Sequence, residues 1–145
     1  MKSSSGVADG AVRYLLLQAG EVMCALPLSQ VRRVVRALPV HPLPGSASEL
    51  LGLAEFSGEP LAVLDLVQLV NAPPGAHPSF PVTVVAWAGR PEARESVGLA
   101  ADAALEIVEL APTAIVPTQA GIVCGEAAVG SAATRVINLE TLGAL

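Results

Sequence analysis

A chain of 145 residues, 52% hydrophobic and 14% charged, can bury a core without disulfides or metal and lies far from the composition of disorder. Its net charge of −5, with Lys2 the only lysine, argues against a phosphate-binding footprint, and one Trp, one Tyr and two Phe argue against a base-stacking surface, so no nucleic-acid partner is expected. No apolar run approaches the roughly 18 residues of a membrane span, and MKSSSGVADG lacks the charged and then apolar pattern of a signal peptide. A cytoplasmic protein without membrane insertion is the expectation.

Residues 1–10, rich in Ser and Gly, read as a disordered lead-in, and residues 11–145 as a single domain. Val12–Gln18 and Val22–Leu26 flank Ala19-Gly20-Glu21 and predict a hairpin. Pro27–Gln30 predicts a turn or one helical turn. Val31–Leu38 is β-branched and mixed with Arg32, Arg33 and Arg36, the pattern of a strand with one wetted side. Pro39–Ser48 holds Pro39, Pro42 and Pro44 and is excluded as a regular central element. Leu50–Phe56 and Pro60–Asp65 predict paired strands about a turn marked by Gly58 and Pro60, followed by a short helix over Leu66–Val70. Asn71–Pro81 carries five prolines or glycines and predicts a loop, the internal boundary between two halves near 71–81. Val82–Ala88, Ser96–Ala100, Ala103–Leu110, Gly121–Ala128 and Thr134–Asn138 are the further strands, with a polar turn at Gly89–Glu95 and a closing helical turn at Leu139–Leu142. Many short strands at close spacing, with no helix-length amphipathic stretch between them, predict a mainly β fold of barrels or a sandwich.

Catalytic chemistry fails for want of residues. His41 and His77 both sit beside prolines, and Cys24 and Cys124 lie far apart without a CxxC, so no zinc site is expected and both thiols read as buried and reduced. No nucleophile elbow and no phosphate-binding glycine loop is present. The expectation is a non-enzyme with no catalytic residue, no metal and no cofactor. Asp65 and Asp102 each end or interrupt an apolar run. They read as acceptors for backbone N–H groups, with Asp65 capping the Leu66–Val70 helix. Arg32 and Arg33 are adjacent on a strand and point to opposite faces, which implies an edge or outer strand.

The segment GLAEFSGEPLAVLDL, residues 52–66, resembles the most recognisable stretch of CheW-like chemotaxis adaptors, in which a glycine precedes an Asn-x-Arg-Gly turn and a strand ending Asp-Leu. Gly52, Gly58, Asp65 and Leu66 keep that frame, while Glu55 and Ser57 replace the asparagine and arginine. Val31-Arg32-Arg33-Val34 is similar to the family's Val-x-Glu-Ile, with Arg33 at the glutamate position. Residues 97–104 and 136–142 resemble two further family segments, so the likeness runs from Tyr14 to Leu142. The resemblance implies two intertwined, five-stranded, SH3-like β-barrel subdomains with short helices. It implies an adaptor that couples the cytoplasmic tips of methyl-accepting chemoreceptors to the regulatory domain of a CheA-type histidine kinase, with other CheW-like proteins as further partners. It carries a partner-binding role onto Val31, Arg33, Gly52, Glu55, Ser57 and Gly58. Arg33 with Glu55 is either a swapped ion pair or the mark of a changed partner, and a regulatory interaction domain outside chemotaxis is the alternative function.

Overall fold

The computed structural model describes residues 10–73 and 81–142. Eleven strands dominate: β1 (Val12–Ala19), β2 (Val22–Pro27), β3 (Val31–Arg36), β4 (Leu50–Phe56), β5 (Glu59–Asp65), β6 (Val82–Ala88), β7 (Glu95–Ala101), β8 (Ala103–Leu110), β9 (Val116–Ala120), β10 (Val123–Val129) and β11 (Ala132–Ile137). Among the described residues one α-helix, α1, spans Leu66–Leu69, and single 3₁₀ turns occupy Leu28–Gln30, Pro91–Ala93, Pro112–Ala114 and Leu139–Thr141. Residues 1–9 of the expected lead-in at 1–10, and residues 74–80 of the expected boundary loop at 71–81, lie outside the described residues.

The strands form two sheets, in the orders β8-β1-β2-β11-β10-β9 and β3-β6-β7-β5-β4. The first therefore has one strand more than the five expected. The extra strand is β9, which was not among the expected strands; it pairs with β10 alone, and an edge position tolerates its Pro117, a residue without an N–H. The chain builds β1 and β2, crosses to complete the whole second sheet, and returns for β8 to β11. Each sheet joins its two parts through one parallel pairing, β2 with β11 and β5 with β7.

This order contains an internal duplication. Hairpin β1–β2, strand β3, hairpin β4–β5 and α1 correspond to hairpin β6–β7, strand β8, hairpin β10–β11 and the Leu139–Thr141 turn. Each repeat lends its first hairpin to the other repeat's sheet. Matching side chains do matching work: Asp65 and Asn138 each accept a backbone N–H from the helical turn that follows, and Gly52 and Gly125 each sit at a register shift facing another segment's backbone.

Strand periodicity assigns the core. On β1, Tyr14 and Leu16 enter the interior of the first sheet with Ala25, Leu110, Ala127 and Val136, while Leu15, Leu17 and Ala19 point the other way. On β6, Val85 enters the second sheet's interior with Ala54, Leu61 and Val63, while Val84, Ala86 and Ala88 turn away from it. The residues turned away meet in one shared apolar layer between the sheets, completed by Leu64, Leu66, Leu99, Ile137 and Leu139. The strands apolar on both faces are thus those buried between an interior and the shared layer.

Polar groups stitch the same region. Asp102 accepts the N–H of Gly20 at 2.6 Å, tying the β7–β8 corner to the β1–β2 turn. Gln30 donates to Asn138 at 2.8 Å and accepts the N–H of Leu139 at 2.9 Å, so residues more than a hundred positions apart are fixed by one buried amide. Cys24 is fully buried and its thiol is pushed up to about 12 by desolvation. Cys124, expected to be buried, is only half-buried because it faces the rim of the first sheet's interior; both cysteines are free.

Asp65 accepts the N–H groups of Val67 at 2.9 Å and Gln68 at 3.4 Å. Burial raises its carboxyl above the ordinary 3.8; the two backbone hydrogen bonds oppose the rise and the charge of Asp102 adds to it. The folded state therefore holds a proton that the unfolded chain releases, and Asp65 costs stability as pH rises from the unfolded value through the folded one. Asp65→Asn keeps a capping acceptor and removes the charge. Its midpoint in urea relative to wild type should improve with rising pH across that window, and Asp65→Ala, which also removes the charge, should follow the same trend about 1 kcal/mol below Asp65→Asn. Parallel pH profiles for wild type and Asp65→Asn would refute this account of the carboxylate.

Candidate partner-binding surface

The six sequence-derived positions fall in two places on the second sheet. Val31 and Arg33 are on β3, and Gly52 and Glu55 are on β4, with Ser57 and Gly58 in the turn to β5. β3 and β4 lie at opposite ends of the hydrogen-bonded order. They approach one another because the segment after β3 curls back: His41 and Leu53 exchange both backbone hydrogen bonds, at 2.8 and 3.0 Å. Gly52 permits that closure. A Cβ there would lie 2.2 Å from the His41 carbonyl oxygen and 2.8 Å from a Val40 methyl, on a backbone with φ of 149°.

Gly52 is buried and Val31 half-buried against the shared layer, so these two support the surface from beneath. Arg33, Glu55, Ser57 and Gly58 are exposed. Phe56 pairs with Glu59 across a two-residue loop in which both Ser57 (φ 52°) and Gly58 (φ 79°) are left-handed. That tight geometry suits the right-handed twist of the hairpin and pushes the Ser57 side chain into solvent. Glu55 looks onto a shallow cleft of about 530 Å³ with Pro39, His41, Leu53 and Pro60. Arg33 is not among the residues around it, and no ion pair joins Arg33 to Glu55. The swapped-pair reading of these two charges is therefore set aside; each faces solvent on its own.

The residue that organises the rim is Arg32, which had been weighed only as one member of an arginine group. A register shift between Val31 and Arg33 turns it outward. Its guanidinium lies 4.6 Å from the Trp87 ring centre and 5.9 Å from that of Phe56, and it donates to Ser96 Oγ at 2.6 Å. Arg94 covers Trp87 at 4.3 Å. An indole with two guanidiniums against its ring is a cationic, partly apolar platform of the kind enriched at protein interfaces. The β6–β7 hairpin brings Arg94 to Trp87, but Arg32 is more than fifty positions from either and joins them only through the β3–β6 pairing. Among the described residues, no group of three or more His, Cys, Asp or Glu is placed to hold a metal, and no helix is long and apolar enough to cross a membrane.

The CheW-like domain model matches residues 13–141, nearly the whole of both repeats. The chain belongs to the CheW-like family. Its fold is similar to that of the scaffolding protein TtCheW from Thermoanaerobacter tengcongensis, with a TM-score of 0.73 over 90% of this chain and 91% of that one, at 18% identity. No curated protein matches the chain in sequence. The two sheets are the two SH3-like subdomains of a CheW-like fold, and a CheW-like domain is a non-enzymatic adaptor.

Proposed function

We propose that this CheW-like domain is a cytoplasmic coupling protein of a bacterial chemosensory array, binding the regulatory domain of a CheA-type histidine kinase and the cytoplasmic tip of a chemoreceptor. The observation that supports this reading best is the family match over residues 13–141, both halves included. The binding residues proposed are Arg33, Glu55, Ser57 and Gly58 at the surface, with Val31 and Gly52 holding their strands in place. The charges there differ from the family's pattern. Arg33 reverses a glutamate, Ser57 removes an arginine and Glu55 adds an acid. Interface charges steer encounter and penalise wrong partners, so this chain binds the standard partners weakly and is matched to altered ones.

Co-sedimentation of the purified protein with a reconstituted receptor–kinase array tests the proposal. Wild type is expected to incorporate poorly, and Arg33→Glu and Ser57→Arg should each raise incorporation, by about tenfold for the charge reversal. Full incorporation and kinase activation by wild type would eliminate the altered specificity. No binding by wild type or either reversion, to array or to isolated kinase and receptor fragments, would eliminate the coupling role and favour a regulatory interaction domain outside chemotaxis.

A further inference from the structure

The chain is acidic as a whole, yet five of its eight cations, Arg32, Arg33, Arg36, Arg90 and Arg94, fall within residues 31–36 and 89–95, which are β3 and the β6–β7 connection. All five are exposed. The same segments hold two of the thirteen acids, Glu92 and Glu95, so positive charge is gathered on this one surface. Its centre is Trp87. Arg32 and Arg94 lie 4.6 and 4.3 Å from the indole, and Arg32 also reaches Phe56 at the end of β4. The hydrogen bond of Arg32 goes to Ser96, a neutral hydroxyl that leaves the guanidinium charge uncompensated. An arginine presents five N–H donors in a planar fork that matches a carboxylate. Two such forks beside one half-buried indole can receive carboxylates on both sides of an aromatic side chain.

The duplication shows that the fold does not require this cluster. Val34 lies opposite Val84 on β6, and Ile107 lies opposite Leu15 on β1, with a register shift at the same point of both ladders. Arg32 is thereby equivalent to Leu105, Arg33 to Glu106, Arg36 to Glu109 and Trp87 to Gln18. The first sheet completes the same β-ladder with neither an indole nor a guanidinium at the equivalent place, and its exposed charges there are acidic. The ring and the arginines are surplus to closure of the second sheet, which leaves recognition as their role.

We propose that this surface docks an acidic segment of a partner protein, with carboxylates on Arg32, Arg33 and Arg94 and an aromatic side chain against Trp87 and Phe56. The inference deepens the coupling reading: it rests on this end of the second sheet being a partner interface, and it states the chemistry of the altered partner. The acids spread over the rest of the chain repel such a segment, which confines docking to this patch.

Trp87 is the chain's only tryptophan, so its emission reports directly on the site. The probe is a dye-labelled, glutamate-rich peptide with one central phenylalanine, titrated with the purified chain. Saturable anisotropy, a parallel change in Trp87 emission and weakening with added salt are expected. Lysine in place of the peptide's glutamates should abolish binding, and serine in place of its phenylalanine should weaken it. Arg32→Gln/Arg94→Gln should weaken binding at least about tenfold while keeping the wild-type circular dichroism spectrum, and Arg13→Gln, at an exposed arginine on β1, should leave binding unchanged. Arg32→Lys/Arg94→Lys should stay weaker than wild type, because an ammonium keeps the charge without the planar fork. No binding of the acidic peptide, an equal loss in Arg13→Gln, or binding to phosphatidylserine vesicles without binding to the peptide would overturn the proposal. The test needs neither kinase nor receptor. Array incorporation without peptide binding would leave the coupling role with a partner of other chemistry, and peptide binding without array incorporation would leave the acidic partner outside chemotaxis.

Discussion

Gly52→Ala should destabilise the protein by about 3–5 kcal/mol, combining backbone strain of roughly 1–3 kcal/mol with overpacking of similar size. The added methyl would sit 2.2 Å from the His41 carbonyl oxygen and 2.7 Å from its carbonyl carbon. Those are backbone atoms of the segment that closes the second sheet, and they cannot turn aside as a side-chain tip would. Relief requires breaking the His41–Leu53 pair of hydrogen bonds or rotating β4 out of register. Gly58→Ala is the internal control. Gly58 also has positive φ, at 79°, but open space surrounds its missing Cβ, so strain alone should cost about 1 kcal/mol. Urea denaturation of the two variants separates the effects. Equal losses would mean that the close approach of His41 carries no weight and that Gly52 is present for its dihedral angles alone.

Gly52 also explains how a frame can be legible while its reason is not. The sequence placed a glycine at the start of the second hairpin's first strand, and the resemblance carried it over as a partner-binding position. Its burial and its contact with His41 assign it to closure of the fold. Nothing near residue 52 announces that contact, because the touching segment is the proline-broken stretch excluded as a regular element. Where structure depends on local pattern, the reading held: the hairpins, the α1 cap at Asp65 and the closing turn at Leu139 lie where turn residues and apolar runs put them. β9 was not among the expected strands, and its Pro117 suits a strand only at an edge, a position that the sheet order alone reveals.

The surface was legible by a different measure. Arg33, Glu55 and Ser57 stood out as charges that depart from a family pattern, and they are exposed. The Arg32–Trp87–Arg94 cluster did not stand out, because it exists only after β3 pairs with β6 and β7 brings Ser96 alongside Arg32. The duplication was also hidden. Its two copies agree mainly at glycines, caps and inward apolar residues, while their exposed residues were free to diverge; at β3 and β8 they diverged into opposite charge.

The exchange of hairpins between repeats leads to the second large expectation. Leu99→Ala should cost about 2–5 kcal/mol, the range for deleting a fully buried leucine side chain. It should also lower one unfolding transition shared by both sheets. Leu99 is completely buried in the middle of β7, flanked in the ladders by Val84 and Leu64, and belongs to the layer between the sheets. Neither sheet can form from one continuous stretch of chain, since β1–β2 completes the sheet of β8 to β11 and β6–β7 completes that of β3 to β5. Loosening the shared layer therefore removes support from both at once. The two halves can be followed separately: Trp87 fluorescence reports the second sheet, and exposure of the Cys24 thiol, shielded in the folded state, reports the first. Coincident urea midpoints for the two probes, both shifted down in Leu99→Ala, are the expected outcome. Leu53→Ala, at a leucine already 37% exposed, should shift them far less, because little apolar surface leaves water there on folding. If the probes separate in Leu99→Ala, with fluorescence lost while Cys24 stays protected, the sheets are independent folding units and the hairpin exchange does not couple them.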